Sequence, residues 1–409
     1  MSPLRSISHI ALVSLALPTL WACGAEDSSG VDGGALAADA STLPDGGGVD
    51  CEREPGPATA ERFVVVARPY NDEGQQSGAW EVLKLATDGT LSATGKRFEM
   101  GRASGGVVEF TPDGKLGFVA LDDGSLGVFR IDDDGNVTVL QSSLSEEFYA
   151  SGVSVEAEGN YAYVLSANWR ENGGGIARLA IGCDDSIVDE GLVAAGKLPW
   201  AMRWTSTGDA LVAADDLGDS PLEQDLHLLT TDSFASPLSS TTVFPDRDAI
   251  VGSMAITADD KFVLLGDNSG FSGLPNRVGV ARIDSDGIEE VQVLTPIDDP
   301  FAIATSPFDD AAIVVSGFGN AVYKLSYDPA NANAPFENAG ELAYQGARPQ
   351  LPANLVQIAR GDLLGLVLIA ENQGLRRVRF EGGGAVTDLG LSAFGESFAA
   401  IVGAVGVQP

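Results

Sequence analysis

The chain has 409 residues, with 24 Lys+Arg against 58 Asp+Glu for a formal charge of −34, 50 Gly, 3 Cys and 2 His. That length supplies one large or two ordinary domains with a substantial core. The charge excludes a nucleic-acid partner, which needs a basic footprint, and electrostatic docking on anionic lipid, and two His leave little for His-based metal or nucleophile chemistry.

Residues 1–22 read as an export signal. Arg5 is the only charge, and the apolar run Ile10 to Leu20 is 11 residues long. That is too short for a transmembrane helix of ~20 residues and fits the apolar core of a signal peptide. Leu20-Trp21-Ala22-Cys23 follows. It resembles the lipobox of bacterial lipoproteins, which implies that Cys23 becomes the lipidated first residue and that the membrane is a partner through that lipid. By the sorting rule of that family, Gly24 in place of Asp implies the outer membrane rather than the inner one, on the periplasmic or cell-surface side. Residues 23–60 are Gly, Ala, Asp and Ser in low-complexity order, with eight acids and one base, Arg53. No apolar periodicity exists to build a core. This acidic stretch reads as a tether reaching ~35 Å as a flexible coil. Once Cys23 is lipidated, Cys51 and Cys183 remain. An oxidising compartment lets them pair and pin the tether to the folded domain; two free thiols are the alternative, since a long sequence separation says nothing about distance.

From residue 61 the segments become short, Val-rich and punctuated by Asp-Gly turns at 88–89, 113–114, 123–124, 134–135 and 286–287. Such dipeptides between apolar runs are hairpin signals. One motif recurs: apolar residues, a basic residue, then an apolar one. The basic position is Lys84, Arg130, Arg178, His227, Arg282, Lys324 and Arg379, at intervals of 42 to 55 residues. Upstream of each lies an apolar strand (FVVVA, GFVAL, YAYVL, ALVAA, KFVLL, AAIVV, LGLVLIA). Before six of these lies a further strand ending in a turn, as in VVEFTPDG or MRWTSTG. A weaker fourth strand follows the basic one, as in NVTVLQ. Four-stranded units of this length, repeated seven times over residues 61–409, predict an all-β, seven-bladed β-propeller. The first unit lacks its opening strand, and SFAAIVGAVG near the C-terminus reads as that strand, closing blade 1 and leaving no open edge. The repeated basic residue is read as a side chain whose stem covers apolar surface while its head reaches water. His227 is one of these seven and is not assigned as a catalytic base.

Residues 106–140, GVVEFTPDGKLGFVALDDGSLGVFRIDDDGNVTVL, and 161–181, YAYVLSANWRENGGGIARLAI, resemble blades of the lactonase-like and YVTN propeller families. The resemblance implies a seven-bladed fold, with functions ranging from sugar-lactone hydrolysis to binding without catalysis. The lactonase-type sites of those families centre on His with Arg and Glu. No such His is in place here, so no catalytic residue is carried over.

In propellers the loops leading into the innermost strand and those leaving the second strand share one face around the channel mouth. The first set carries Arg102, Tyr149, Trp200, Arg247, Arg348 and Glu396. Arg102, Arg247 and Arg348 can converge on an anion or carboxylate; Tyr149 and Trp200 can stack on a sugar or another planar face. The alternative is that these groups pair locally and tie the loops. Asp132 to Asn136 lacks the Gly and Glu of a calcium loop and reads as a hairpin turn. No zinc spacing, phosphate loop or nucleophile elbow is found, and no cofactor or metal is expected. The first functional expectation is a lipid-anchored, exported propeller that binds an anionic small molecule or an envelope protein without necessarily catalysing anything. The alternative is a hydrolase of the lactonase type.

Overall fold

The Val-rich runs are apolar at every position because both faces of their sheets are covered. In Arg62–Tyr70, Val64 and Val66 point into one apolar cluster and Val65 and Ala67 into another. Side chains alternate along a strand, so a sheet sandwiched between two neighbours needs apolar residues in both registers. In the computed structural model these sheets form a seven-bladed β-propeller. It describes residues 51–57, 61–70, 75–104, 106–140, 144, 148–166, 174–218, 224–231, 233–244, 251–268, 276–295, 297–395 and 403–409. Leu43–Pro409 make up one compact unit. The signal segment, Cys23 and most of the tether lie outside the described residues. No helix among the described residues is long and apolar enough to cross a membrane.

Each blade is an antiparallel sheet whose strands, a to d, run from the axis outward in chain order. Blade 2 is the simplest case: Glu109–Phe110, Leu116–Ala120, Leu126–Ile131 and Val137–Leu140. Blade 1 is the exception, with order Val405–Val407, Arg62–Tyr70, Gln76–Leu85 and Leu91–Glu99. Its innermost strand comes from the C-terminal end of the sequence, pairing Val64 with Val407 and Val66 with Val405. The closing strand therefore starts at Val405, near the end of the apolar segment read from the sequence; residues 396–402 lie outside the described residues. Gly406 has no room for a side chain, because a Cβ there would meet the Val108 Cβ at 2.5 Å. This lets the inner strands of blades 1 and 2 touch, with the Val108 N–H donating to the Val405 carbonyl at 3.0 Å.

The apolar core is a ring of interfaces rather than a single centre. Among the described residues seven clusters of buried side chains occur, one between each pair of neighbouring blades. Blade 3 gains a fifth strand, because Asp216–Leu217 leaves the loop of blade 4 and pairs with Gly196 and Lys197.

All seven residues of the repeated basic position sit on strand c, for example Arg130 in Leu126–Ile131 and Lys324 in Ala321–Tyr327. Lys84 and Arg130 reach solvent as expected, with 41% and 43% of the side chain exposed. His227 does not. It is fully buried, with Nδ1 2.9 Å from Ser240 Oγ and Nε2 3.2 Å from the Ala214 carbonyl. The short imidazole cannot reach past strand d to water, so it finds its partners inside the blade.

Cys51 and Cys183 are bonded, with Cα atoms 5.4 Å apart. The neighbouring Arg53 is buried and holds Asp113 and Asp185, each at 3.3 Å, and the Gly182 carbonyl at 2.8 Å. Cys51–Pro57, counted with the tether on composition, is thus fastened to the turns of blades 2 and 3. Composition could not show this, because the partners lie 60 and 132 residues away in sequence.

Candidate functional site

The ring has two ends. At one the d–a and b–c loops meet; at the other, the a–b and c–d turns. Of the residues singled out from the sequence, Arg102, Tyr149, Trp200 and Arg348 are described and belong to the first end. There the Arg102 guanidinium binds the Asp122 carboxylate and the Gln76 amide oxygen. Tyr149 donates its hydroxyl to the Asp122 carbonyl at 2.9 Å. Its ring lies over Gly124, where φ is +86° and a Cβ would come within 2.3 Å of the ring. Arg348 pairs with Glu341 at 2.9 Å and is 55% exposed. Trp200 is half-buried against the core between blades 4 and 5, and its indole N–H is enclosed without a hydrogen-bond partner among the described residues. Arg247 and Glu396 lie outside the described residues. Arg102 and Tyr149 therefore meet around Asp122, while Arg348 has a partner of its own on blade 6. Each of these two arginines is neutralised by a carboxylate of the chain.

A second group of residues converges inside the ring. A cavity of about 440 Å³ is walled by the inner strands of blades 1, 2, 4, 5, 6 and 7. Its lining includes Phe110, Trp204, Ile256, Thr305 and Ile358, which are the last residues of their strands or lie just beyond, so it sits toward the a–b end. Its charged wall comes from two equivalent positions, Glu109 and Arg203, each two residues before the first residue of the a–b turn (Thr111, Thr205), and Gln357, one residue before the matching Ile358, adds an amide. The matching residues of blades 3, 5 and 6 are Ser154, Ala255 and Ala304, all buried and none of them charged. An inner strand that faces only its neighbours tolerates apolar residues here; charged ones need a polar space to face.

Arg203 lies 3.8 Å from Glu109 and donates to the Met202 carbonyl at 2.8 Å. Since these two belong to blades 4 and 2, the pair reaches past the inner strand of blade 3. Glu109 is 27% exposed. Loss of water around its carboxyl pushes the pKa up, and the Arg203 charge pulls against that rise. Gln357 donates to the Thr305 carbonyl at 3.0 Å. Trp204 packs edge-on against Tyr163 at 5.1 Å, with its N–H enclosed and unpartnered among the described residues.

Across the cavity stand Arg62 and Arg360. Arg62 is 3% exposed and donates to the carbonyls of Gln408 and Arg360, at 3.2 and 3.3 Å. Its pKa is lowered, first by burial and then by the Arg360 charge. None of these cavity residues was singled out from sequence. The available signal was a charged residue inside an inner strand (VVEF, MRWT) whose counterparts in the other blades are uncharged. Among the described residues no group of three or more His, Cys, Asp or Glu is placed to hold a metal ion. His227 lies inside blade 4, away from the cavity lining.

No family model matches the chain, and no curated protein matches it. Solved structures do. A periplasmic gluconolactonase from Pseudomonas aeruginosa is 17% identical, with a TM-score of 0.59 over 82% of this chain and 97% of that one. Two Bacteroides structures described as candidate 6-phosphogluconolactonases are similar. The one from B. uniformis is 12% identical, with a TM-score of 0.60 over 80% of this chain and 95% of that one. The one from B. fragilis is 15% identical, with a TM-score of 0.58 over 87% of this chain and 100% of that one. At these identities the likeness is one of fold: the chain shares the seven-bladed propeller fold with these structures.

Proposed function

We propose that the protein is an exported, lactonase-type propeller whose site is the axial cavity, with a small polyhydroxylated lactone as substrate. The observation that carries the reading is the Glu109–Arg203 pair, a carboxyl of raised pKa beside a guanidinium in a half-open cavity large enough for a sugar-sized ligand. A carboxylate made more basic by desolvation is suited to take a proton from water. Water then adds to the lactone carbonyl, and Arg203 steadies the negative oxygen that forms. As the C–O bond of the ring breaks, the leaving oxygen takes the proton back from Glu109, giving an open hydroxy acid. The names of the similar structures support the substrate class. With His227 inside blade 4, the base in this reading is a carboxylate. Export is supported by the Cys51–Cys183 disulfide, since such bonds persist in oxidising compartments, and by the N-terminal segment read as an export signal, in which we propose Cys23 as the lipid acceptor.

The test is hydrolysis of D-glucono-1,5-lactone by purified protein, followed by acid release above the spontaneous rate. Glu109→Gln is expected to lower kcat about 10²–10⁴-fold, the usual contribution of general base catalysis, with a smaller change in KM. Wild-type kcat is expected to rise with pH through a midpoint above the ordinary Glu range. Binding without turnover would make the cavity a ligand-binding site instead; neither binding nor turnover would move the function away from the axis.

A further inference from the structure

Arg62 and Arg360 stand where the ring closes. Arg62 opens strand b of blade 1, and Arg360 lies in the a–b turn of blade 7. Between them runs the C-terminal strand, whose Gln408 carbonyl accepts from Arg62. Both side chains line the same cavity. In a chain of net charge −34, most described arginines sit on a carboxylate, among them Arg53, Arg68, Arg102, Arg178, Arg277 and Arg376. Arg360 sits on none. Its Nε and Nη2 are enclosed, with no hydrogen-bond partner among the described residues; other arginines with an enclosed, unpartnered nitrogen show this at Nε alone. Enclosed guanidinium nitrogens without a partner cost desolvation energy, and a second guanidinium beside them adds repulsion.

We propose that Arg62 and Arg360 form an oxyanion site at the closure seam, filled by a group of phosphate type. Two adjacent cations favour a ligand with two negative charges, and the guanidinium fork matches its oxygens. The ligand would couple blades 1 and 7 across the seam and so make ring stability depend on an anion. Its residues differ from the Glu109–Arg203 pair across the same cavity, and the proposal does not rest on the lactone reading.

The test uses inorganic phosphate at constant ionic strength, so that screening and general salt effects cancel. Wild-type melting temperature is expected to rise with the logarithm of phosphate concentration, as for any ligand bound by the native state alone. Arg360→Gln is expected to weaken the response about tenfold or more. It should also melt higher than wild type without phosphate, because the repulsion on Arg62 is gone. Arg348→Gln, at the opposite end, should respond as wild type does. Calorimetric titration of the wild-type protein gives a readout that needs no variant to fold, with one site per chain expected. Absence of binding to wild type, or an equal response in Arg360→Gln, overturns the proposal whatever the outcome with lactone.

Discussion

The most demanding single residue is Arg376. It is fully buried on strand c of blade 7 and binds Glu371, Asp388 at 2.7 Å and the Ala347 carbonyl at 2.8 Å. The Tyr344 ring lies 5.4 Å from its guanidinium. Burial raises the Glu371 pKa and the Arg376 charge opposes the rise. Arg376→Met would strand two buried carboxylates, so a loss of ~3–5 kcal/mol is expected in urea unfolding. Glu156 makes a different residue-scale prediction. Its carboxyl is pushed up to about 7, first by burial and then by Glu158. A folded-state pKa above the unfolded value means that the native state holds the proton longer. The stability contributed is fully present below the unfolded pKa, and it falls as pH rises from the ordinary Glu range to about 7. Glu156→Gln should flatten that part of a plot of melting temperature against pH and melt higher than wild type at alkaline pH.

At the scale of elements, the strands were legible because each blade is buried on both faces. That makes strand b a continuous apolar run and leaves Asp-Gly at the turns. The weak point is the closing strand, Val405–Val407, which holds blade 1 to blade 2 through a glycine in contact with Val108. Gly406→Val would force the two inner strands apart, and overpacking of this kind costs roughly 1–3 kcal/mol. The expected readout is a lower urea midpoint with an unchanged slope, since the surface exposed on unfolding stays the same. Unaltered stability would mean that the seam between blades 1 and 2 is loose.

For the whole molecule, the proposed lipid anchor makes the sharpest prediction. A surface this acidic repels anionic lipid, so the proposed anchor assigns membrane association to acyl chains on Cys23. Cys23→Ser should move the protein from the membrane fraction to the soluble one at any salt concentration; a variant that still sediments with membranes would refute the anchor.

Repeat length, strand count and the location of the missing strand could all be read from the sequence, because each depends on local patterning: apolar alternation, turn dipeptides, and a basic residue every 42 to 55 positions. Arg102 and Tyr149 do meet, although around Asp122 and not around an open space. The axial cavity was out of reach for a physical reason. Glu109, Arg203, Arg62 and Arg360 are each ordinary in their own strand or turn. They become neighbours only when seven blades close into a ring and the C-terminal strand seats beside Arg62. Local propensity decides where a charged side chain stands on its blade. Ring closure alone decides which other charges it must face, and how little water is left between them.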